Sequence, residues 1–253
     1  VCSACRYAWK KHHEIDWKKR EEKLAILCDK YRSKDGRFDV VIPASGGKDS
    51  GYTAHILKTK YGMHPLVVTW APFIYTDIGW KNFQNFVKSG FTVLNCFPNG
   101  VLHRKLARVA FELKGDAWEP FAFGQKAYAF NIALKFDIPL IFYGENGEAE
   151  YGGSTKDADR PYETIEDWEK VHFKGAGIDK LLQAGLEMDV FSENEIKDET
   201  LDLYRQPPLS EIRKLGAQMH WLSYYRKWVP KENFYYSQKY TGFTANESGR
   251  SEG

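Results

Sequence analysis

The sequence predicts an α/β protein with a parallel sheet and helices on both faces. Three observations predict it. Short apolar runs at 38–42, 65–70, 91–96 and 139–143 alternate with helical stretches, the pattern of βα units joined by right-handed crossovers. The first run, Phe38 to Ile42, is largely apolar, as in a strand covered on both faces. The loops at 43–50, 70–77, 97–104 and 144–153 all fall at the carboxyl ends of these strands, the edge where open parallel sheets bind ligands.

Taken in order, residues 6–34 read as one helix, with Tyr7, Ile15, Leu24, Ile26, Leu27 and Tyr31 among Lys and Glu, ended by Lys34-Asp35-Gly36. After the first strand a helix runs from Gly51 to Lys60, and Tyr61-Gly62 closes it. Pro65 to Trp70 is the second strand, 78–89 a helix stopped by Gly90, and Phe91 to Cys96 the third strand. Pro98-Asn99-Gly100 turns the chain into an amphipathic helix at 101–114, with Leu102, Leu106, Val109 and Leu113 on one side. A further helix at 124–136 precedes the fourth strand, Pro139 to Tyr143. Beyond 155 the chain is polar and mixed. Helices are expected at 163–171, 177–187, 193–203 and 208–217, as a helical appendage over the sheet edge. The expected organisation is an N-terminal C-x-x-C segment with its helix (1–35), a core (36–155) and a helical region for substrate or partner (156–253).

The chain of 253 residues, 43% hydrophobic and 15% aromatic, can bury a substantial core. A net charge of +2 gives no global field for nucleic acid or an anionic membrane. Charge is unevenly spread. Residues 145–202 carry 17 Asp/Glu against 6 Lys/Arg, and residues 203–240 carry 7 Lys/Arg against 2 Asp/Glu. No run reaches the roughly 18 apolar residues of a membrane span and no signal peptide is visible, which suits a cytoplasmic protein. The chain opens at Val1 directly before Cys2-Ser3-Ala4-Cys5 and stops in a polar run from Gly242 to Gly253, so both ends read as cut.

The most informative stretch is Ser45-Gly46-Gly47-Lys48-Asp49-Ser50, between the first strand and its helix. Two glycines allow a sharp turn and close approach to a ligand, and a helix N-terminus with free N–H groups is an anion site suited to a polyphosphate. It is neither G-x-x-x-x-G-K-[ST], since Ile42 stands where the first glycine is needed, nor G-x-G-x-x-G. Lys48 would neutralise charge on the β and γ phosphates, with Ser45 and Ser50 donating to them. Magnesium is usually held by one or two carboxylates plus phosphates. Asp49, with Glu145, Glu148 or Glu150 after the fourth strand, could supply the carboxylates. Arg104, Lys105 and Arg108, at helical spacing near a sheet-edge loop, either grip an anionic substrate or form a solvated face. Cys2 and Cys5 have metal-ligand spacing, with His12 and His13 nearby. A zinc site needs four ligands, and an upstream cysteine pair is the natural complement, so structural zinc is expected there. Cys28 and Cys96 are lone cysteines in apolar segments.

The Ser-Gly-Gly-x-Asp-Ser pattern resembles the pyrophosphate loop of the PP-loop ATP pyrophosphatases, an adenine nucleotide alpha hydrolase-like fold. The resemblance implies cleavage of ATP to AMP and pyrophosphate at a site of Ala44 to Ser50. The segment Gly144-Glu145-Asn146-Gly147-Glu148-Ala149-Glu150 is similar to a motif of ammonia-dependent NAD synthetases, and that alignment places the metal-binding glutamate at Glu150, with Glu145 competing. Several stretches together resemble the N-acetyl sugar amidotransferases of surface-polysaccharide and nonulosonic-acid biosynthesis. They are Cys2-Ser-Ala-Cys5, Pro43 to Ser50, Val68-Thr69-Trp70, Arg104-Lys105-Leu106 with Ala110-Phe111-Glu112, and Ile138-Pro-Leu-Ile141 with Tyr143-Gly-Glu-Asn146 and Glu150-Tyr-Gly-Gly153. This resemblance implies that an acetamido group is adenylylated and then substituted by ammonia. Thr69, Trp70, Gly144, Glu145 and Asn146 would join the ATP site, and Arg104, Lys105 and Tyr151 would contact an N-acetylated sugar or nucleotide sugar. It also implies ATP and Mg2+ as cofactors and a glutamine amidotransferase subunit as ammonia source, since the chain has no glutaminase signature. A tRNA thiolase shares the loop. It would need a catalytic cysteine, for which Cys96 is the candidate, and a basic RNA face that the net charge does not offer. A nucleotide sensor without turnover would not need Lys48, Asp49 and Glu150 together.

Overall fold

The computed structural model describes residues 2–150, 159–163 and 177–247. Its centre is a six-stranded sheet of β1 (Val40–Pro43), β2 (Pro65–Trp70), β3 (Thr92–Cys96), β4 (Leu140–Tyr143), β5 (Tyr162–Glu163) and β6 (Gln218–Trp221) in the order β3-β2-β1-β4-β6-β5. Every pairing is parallel except β5 with β6. The chain runs outward from β1 through β2 to β3, then returns to lay β4 on the other side of β1. The strand order therefore reverses between β1 and β4, and a crevice opens at their carboxyl ends.

Alternate residues along each strand meet different helices. Val41, Leu66, Val68, Ile141 and Met219 face a core with α5 (Gly100–Lys114), α6 (Glu119–Lys135) and α8 (Asp179–Glu187). Val40, Ile42, Val67, Leu140 and Phe142 face the opposite core, with α2 (Trp17–Tyr31), α3 (Lys48–Thr59) and α4 (Asp77–Lys88). This two-sided burial accounts for the unbroken apolar runs. The glycine turn thus opens a helix on one face of the sheet, and α6 covers the other.

Five expectations change. The helix expected over 6–34 is two, α1 (Ser3–His13) and α2. They are separated where Asp16 caps α2 by accepting from the Lys19 N–H at 3.0 Å, and the Trp17 indole donates back to the Lys11 carbonyl at 2.8 Å. The helix expected from Gly51 begins at Lys48, and that expected from 124 begins at Glu119, with Pro120 in its first turn. The segment expected as helix over 193–203 is two short 3-10 turns, Glu195–Lys197 and Glu199–Tyr204. The region after 156 is no detached helical appendage, because β6 is the next parallel strand beyond β4. The alternating run Ala217 to Leu222, with Gln218 and His220 between its apolar residues, signals that strand but is short, and it closely follows the helix α9 (Leu209–Leu215). A four-residue helix, α10 (Leu222–Tyr225), follows, and α11 (Pro230–Thr241) then packs along α3. Its start is marked by Val229-Pro230 and its end by Gly242. The helix expected at 163–171 lies almost wholly outside the described residues. Among the described residues no helix is long and apolar enough to cross a membrane.

Candidate functional site

The turn after β1 takes its shape from close packing. Gly46 has φ +87°, and a Cβ there would come 2.7 Å from the Phe83 Cα in α4, so both conformation and space demand glycine. Gly47 is extended and no side chain caps α3. The first N–H groups of a 12-residue helix are therefore left for something in the crevice. The β1 end is locked to β2, with the Ala44 N–H donating to the Val68 carbonyl at 2.9 Å and the buried Thr69 hydroxyl donating to the Ala44 carbonyl at 2.6 Å.

The crevice is a cleft of about 470 Å³. One wall is polar, formed by residues 43–45 and 47–50 with Gly144 and Glu145. Lys48, buried, places its ammonium 2.7 Å from the Asp49 carboxylate. Ser50 turns its hydroxyl onto the Gly47 carbonyl at 3.2 Å. Burial pushes the Glu145 carboxyl above its ordinary range and the charge of Asp49 adds to the rise, while Lys48 and Lys126 oppose it. A carboxylate whose ionisation burial and a second carboxylate disfavour, beside one ammonium, makes with that neighbour a donor set that a hard divalent cation would relieve. The other wall is aromatic, with Trp70, Trp118, Phe121, Tyr128 and Tyr143.

Helix α11, absent from the sequence reading, holds the polar wall from behind. Its buried Asn233 donates to the second Asp49 oxygen at 3.4 Å, and its Ser237 hydroxyl donates to the Lys48 carbonyl at 2.6 Å. A Cβ at Gly51 would lie 2.9 Å from the Thr241 hydroxyl, which shows how closely the two helices meet. The chain beyond α11 is pinned as well, since Asn82 exchanges hydrogen bonds with the Thr244 backbone at 2.8 Å. Asn82 immediately precedes Phe83, the residue that backs Gly46.

Of the residues expected at the site, Ala44, Ser45, Gly47, Lys48, Asp49, Ser50, Trp70, Gly144 and Glu145 line one cleft. Gly46 shapes the turn. Thr69 and Asn146 are buried supports; the Asn146 N–H donates to the Ser223 hydroxyl at 3.0 Å. Glu150, at the end of the short helix α7 (Gly147–Glu150), is placed elsewhere. Its carboxylate is ion-paired with the buried Lys11 of α1 at 2.6 Å, and the same ammonium donates to the Trp228 carbonyl at 3.0 Å. Glu145, not Glu150, is the glutamate that feels Asp49. Arg104 is exposed on α5 and Lys105 pairs with Glu195, and neither lines the cleft. Tyr151 lies outside the described residues. Cys2 and Cys5 are exposed in the first turn of α1, and among the described residues no three His, Cys, Asp or Glu side chains gather to hold a metal, so the expected zinc site is not formed there. Cys96 ends β3 away from the cleft lining, with its thiol pushed up to about 11 by burial.

The sequence reading also missed the aromatic wall and Lys126. The signal for the wall was the 3-4-3 spacing of Trp118, Phe121, Gln125 and Tyr128, the N-cap residue and one face of α6. Lys126 holds its ammonium 4.5 Å from the centre of the Tyr143 ring, and burial pushes it down to about 8 against the opposing charges of Glu163 and Glu145.

No protein-family model matches this chain, and no curated protein does. A solved structure similar to it is an NH3-dependent NAD synthetase from Campylobacter jejuni in complex with the nitrate ion. Identity is 13%, the match covers 79% of this chain and 92% of that one, and the TM-score is 0.40. The functional reading therefore rests on the cleft itself and on the motifs that build it.

Proposed function

We propose that the protein is an AMP-forming, ATP-dependent amidotransferase that converts the acetamido group of an N-acetylated sugar into an acetamidino group. One observation carries the ATP part. An uncapped helix N-terminus, preceded by a Gly-Gly turn and bearing Lys48 and Asp49, opens into a cleft at the point where strand order reverses. The acetamido acceptor is supported by the Tyr-Gly-Glu-Asn and Glu-Tyr-Gly-Gly stretches and by the amide chemistry an AMP-forming site provides.

The α3 N–H groups and Lys48 would hold the β and γ phosphates and leave the α phosphorus exposed to the open cleft. The acetamide oxygen attacks that phosphorus, the bond to the bridging oxygen breaks, and pyrophosphate leaves against Lys48 and the helix N-terminus. The resulting O-adenylyl imidate has a good leaving group. Ammonia adds to its carbon, the carbon–oxygen bond breaks, AMP departs, and the proton shed by the incoming nitrogen ends on the amidine. Asp49 and Glu145 are the carboxylates that would hold magnesium, which neutralises phosphate charge when bound. The reaction needs positioning and electrostatics and no protein nucleophile. Ammonia is drawn from a glutamine amidotransferase subunit.

The test incubates the protein with ATP, Mg2+, ammonium and acetamido sugars, and reads AMP together with a sugar in which NH has replaced O. AMP formed only with tRNA and a sulfur donor would make it a thiolase. Nucleotide binding without AMP under any condition would make it a sensor.

A further inference from the structure

We propose that Trp118, Phe121 and Gln125 of the α6 stripe form the acceptor subsite, with a saturated sugar ring against the two aromatic rings and its acetamido group directed by the Gln125 amide. The assignment rests on the nucleotide reading above and adds to it where the acceptor sits and what holds it.

In-line displacement decides the side from which the acceptor comes. Attacking and leaving oxygens stand on opposite sides of the phosphorus. With the leaving pyrophosphate held at the N-terminus of α3 on one face of the sheet, the attacking oxygen must arrive from the opposite face. The element that borders the cleft there is α6, whose core lies on that other face.

The chemistry of the stripe suits a sugar. Trp118 is 62% exposed although it lines a cleft, and its ring centre is 4.2 Å from that of the buried Phe121, with 35° between the planes. The negative faces of such rings attract the C–H groups of a saturated ring, and a ligand seated there would bury a side chain now left in water. Gln125 brings a donor and an acceptor to an otherwise apolar stripe, the complement an acetamido group requires. Gly124 completes the arrangement. A Cβ at that position would lie 2.2 Å from two ring carbons of Trp70, so only glycine lets α6 approach the end of β2. The basic residues expected to bind substrate do not compete, because Arg104 and Lys105 lie off the cleft lining.

The test uses saturation-transfer NMR on the whole chain with two probes, N-acetylglucosamine and UDP-N-acetylglucosamine, each with a nonhydrolysable ATP analogue and Mg2+. The wild type should transfer saturation to sugar-ring and acetyl protons. Trp118→Ala should weaken sugar binding about tenfold with ATP-analogue binding unchanged, and Trp118→Phe should restore most of it. Gln125→Ala should weaken binding of the acetamido sugars and leave that of glucose and UDP-glucose unaltered. No saturation transfer to either sugar in the wild type, equal transfer in Trp118→Ala, or loss of the ATP analogue in place of the sugar would overturn the assignment. The last result would make the stripe the adenine seat. A wild type that binds neither sugar but binds the ATP analogue sinks the subsite alone, and one that binds no nucleotide sinks the functional reading itself.

Discussion

The two walls of the cleft are built in different ways. The polar wall comes from short contiguous segments, 43–50 and 144–145, each directly after a strand end, and its chemistry can be read along the chain. The aromatic wall collects Trp70 from β2, Tyr143 from β4 and a helical stripe from α6, and exists only once those elements pack. The difference is one of constraint. A turn that needs a left-handed glycine packed against a neighbouring backbone allows few sequences, whereas an apolar wall can be made of any residues the fold brings together.

The largest effect expected is on the polar wall. Lys48→Ala or Asp49→Ala should reduce AMP formation by at least about 100-fold, the cost of losing a preorganised electrostatic contact, with the circular dichroism spectrum unchanged. Retained activity would move the phosphate site elsewhere.

Next, Glu145 and Glu150 should separate cleanly. Glu145→Gln should abolish the magnesium dependence of nucleotide binding. Glu150→Gln should leave that dependence intact but lower stability by about 3 kcal/mol, because the buried Lys11 ammonium loses its charged partner. Magnesium titrations and urea unfolding of both variants decide it, and the reverse pattern would return the metal to Glu150.

A smaller effect probes the aromatic wall. Gly124→Ala should cost about 1–3 kcal/mol by forcing Trp70 from its seat and should raise the acceptor KM before the ATP KM. An unchanged acceptor KM would detach Trp70 from the wall's function.

The smallest effect lies outside the cleft. The buried imidazoles of His103 and His220 accept or donate at 2.6 Å and 2.8 Å to the Tyr204 and Tyr225 hydroxyls, and burial pushes both down to about 4. Their folded pKa lies below the unfolded value, so the unfolded chain binds more protons between the two. Their contribution to stability is complete above the unfolded pKa and falls as pH drops towards 4. From about pH 7 to about pH 5.5 each should remove about 1 kcal/mol, and His220→Asn should flatten that slope in urea titrations.

Much of the scaffold was legible. β2 falls at the expected residues, and β1 and β4 within a residue or two, because two-sided burial writes an apolar run, while the half-buried edge strand β3 begins one residue later than expected. The start of α3 was misplaced by three residues, since Gly47 in an extended conformation caps the helix without a side-chain signature. The single helix expected over 6–34 failed because one capping aspartate interrupts an otherwise continuous pattern. β6 and α11 were missed for another reason. Their residues are polar enough to pass for surface, and the partners that bury them are more than 70 residues away along the chain.

By itself, the sequence determined a parallel α/β sheet and a Gly-Gly turn bearing Lys48 and Asp49, because both are local. Periodicity selects the elements, and two glycines before a helix shape the turn. Only the tertiary structure decided which glutamate lines the cleft with Asp49, that α11 braces the turn, and that Arg104 and Lys105 stand apart from a cleft faced by Trp118. Those outcomes depend on which faces of distant elements meet. Glu145 and Glu150 lie five residues apart on one short segment, yet one lines the cleft and feels the charge of Asp49 while the other is held by Lys11.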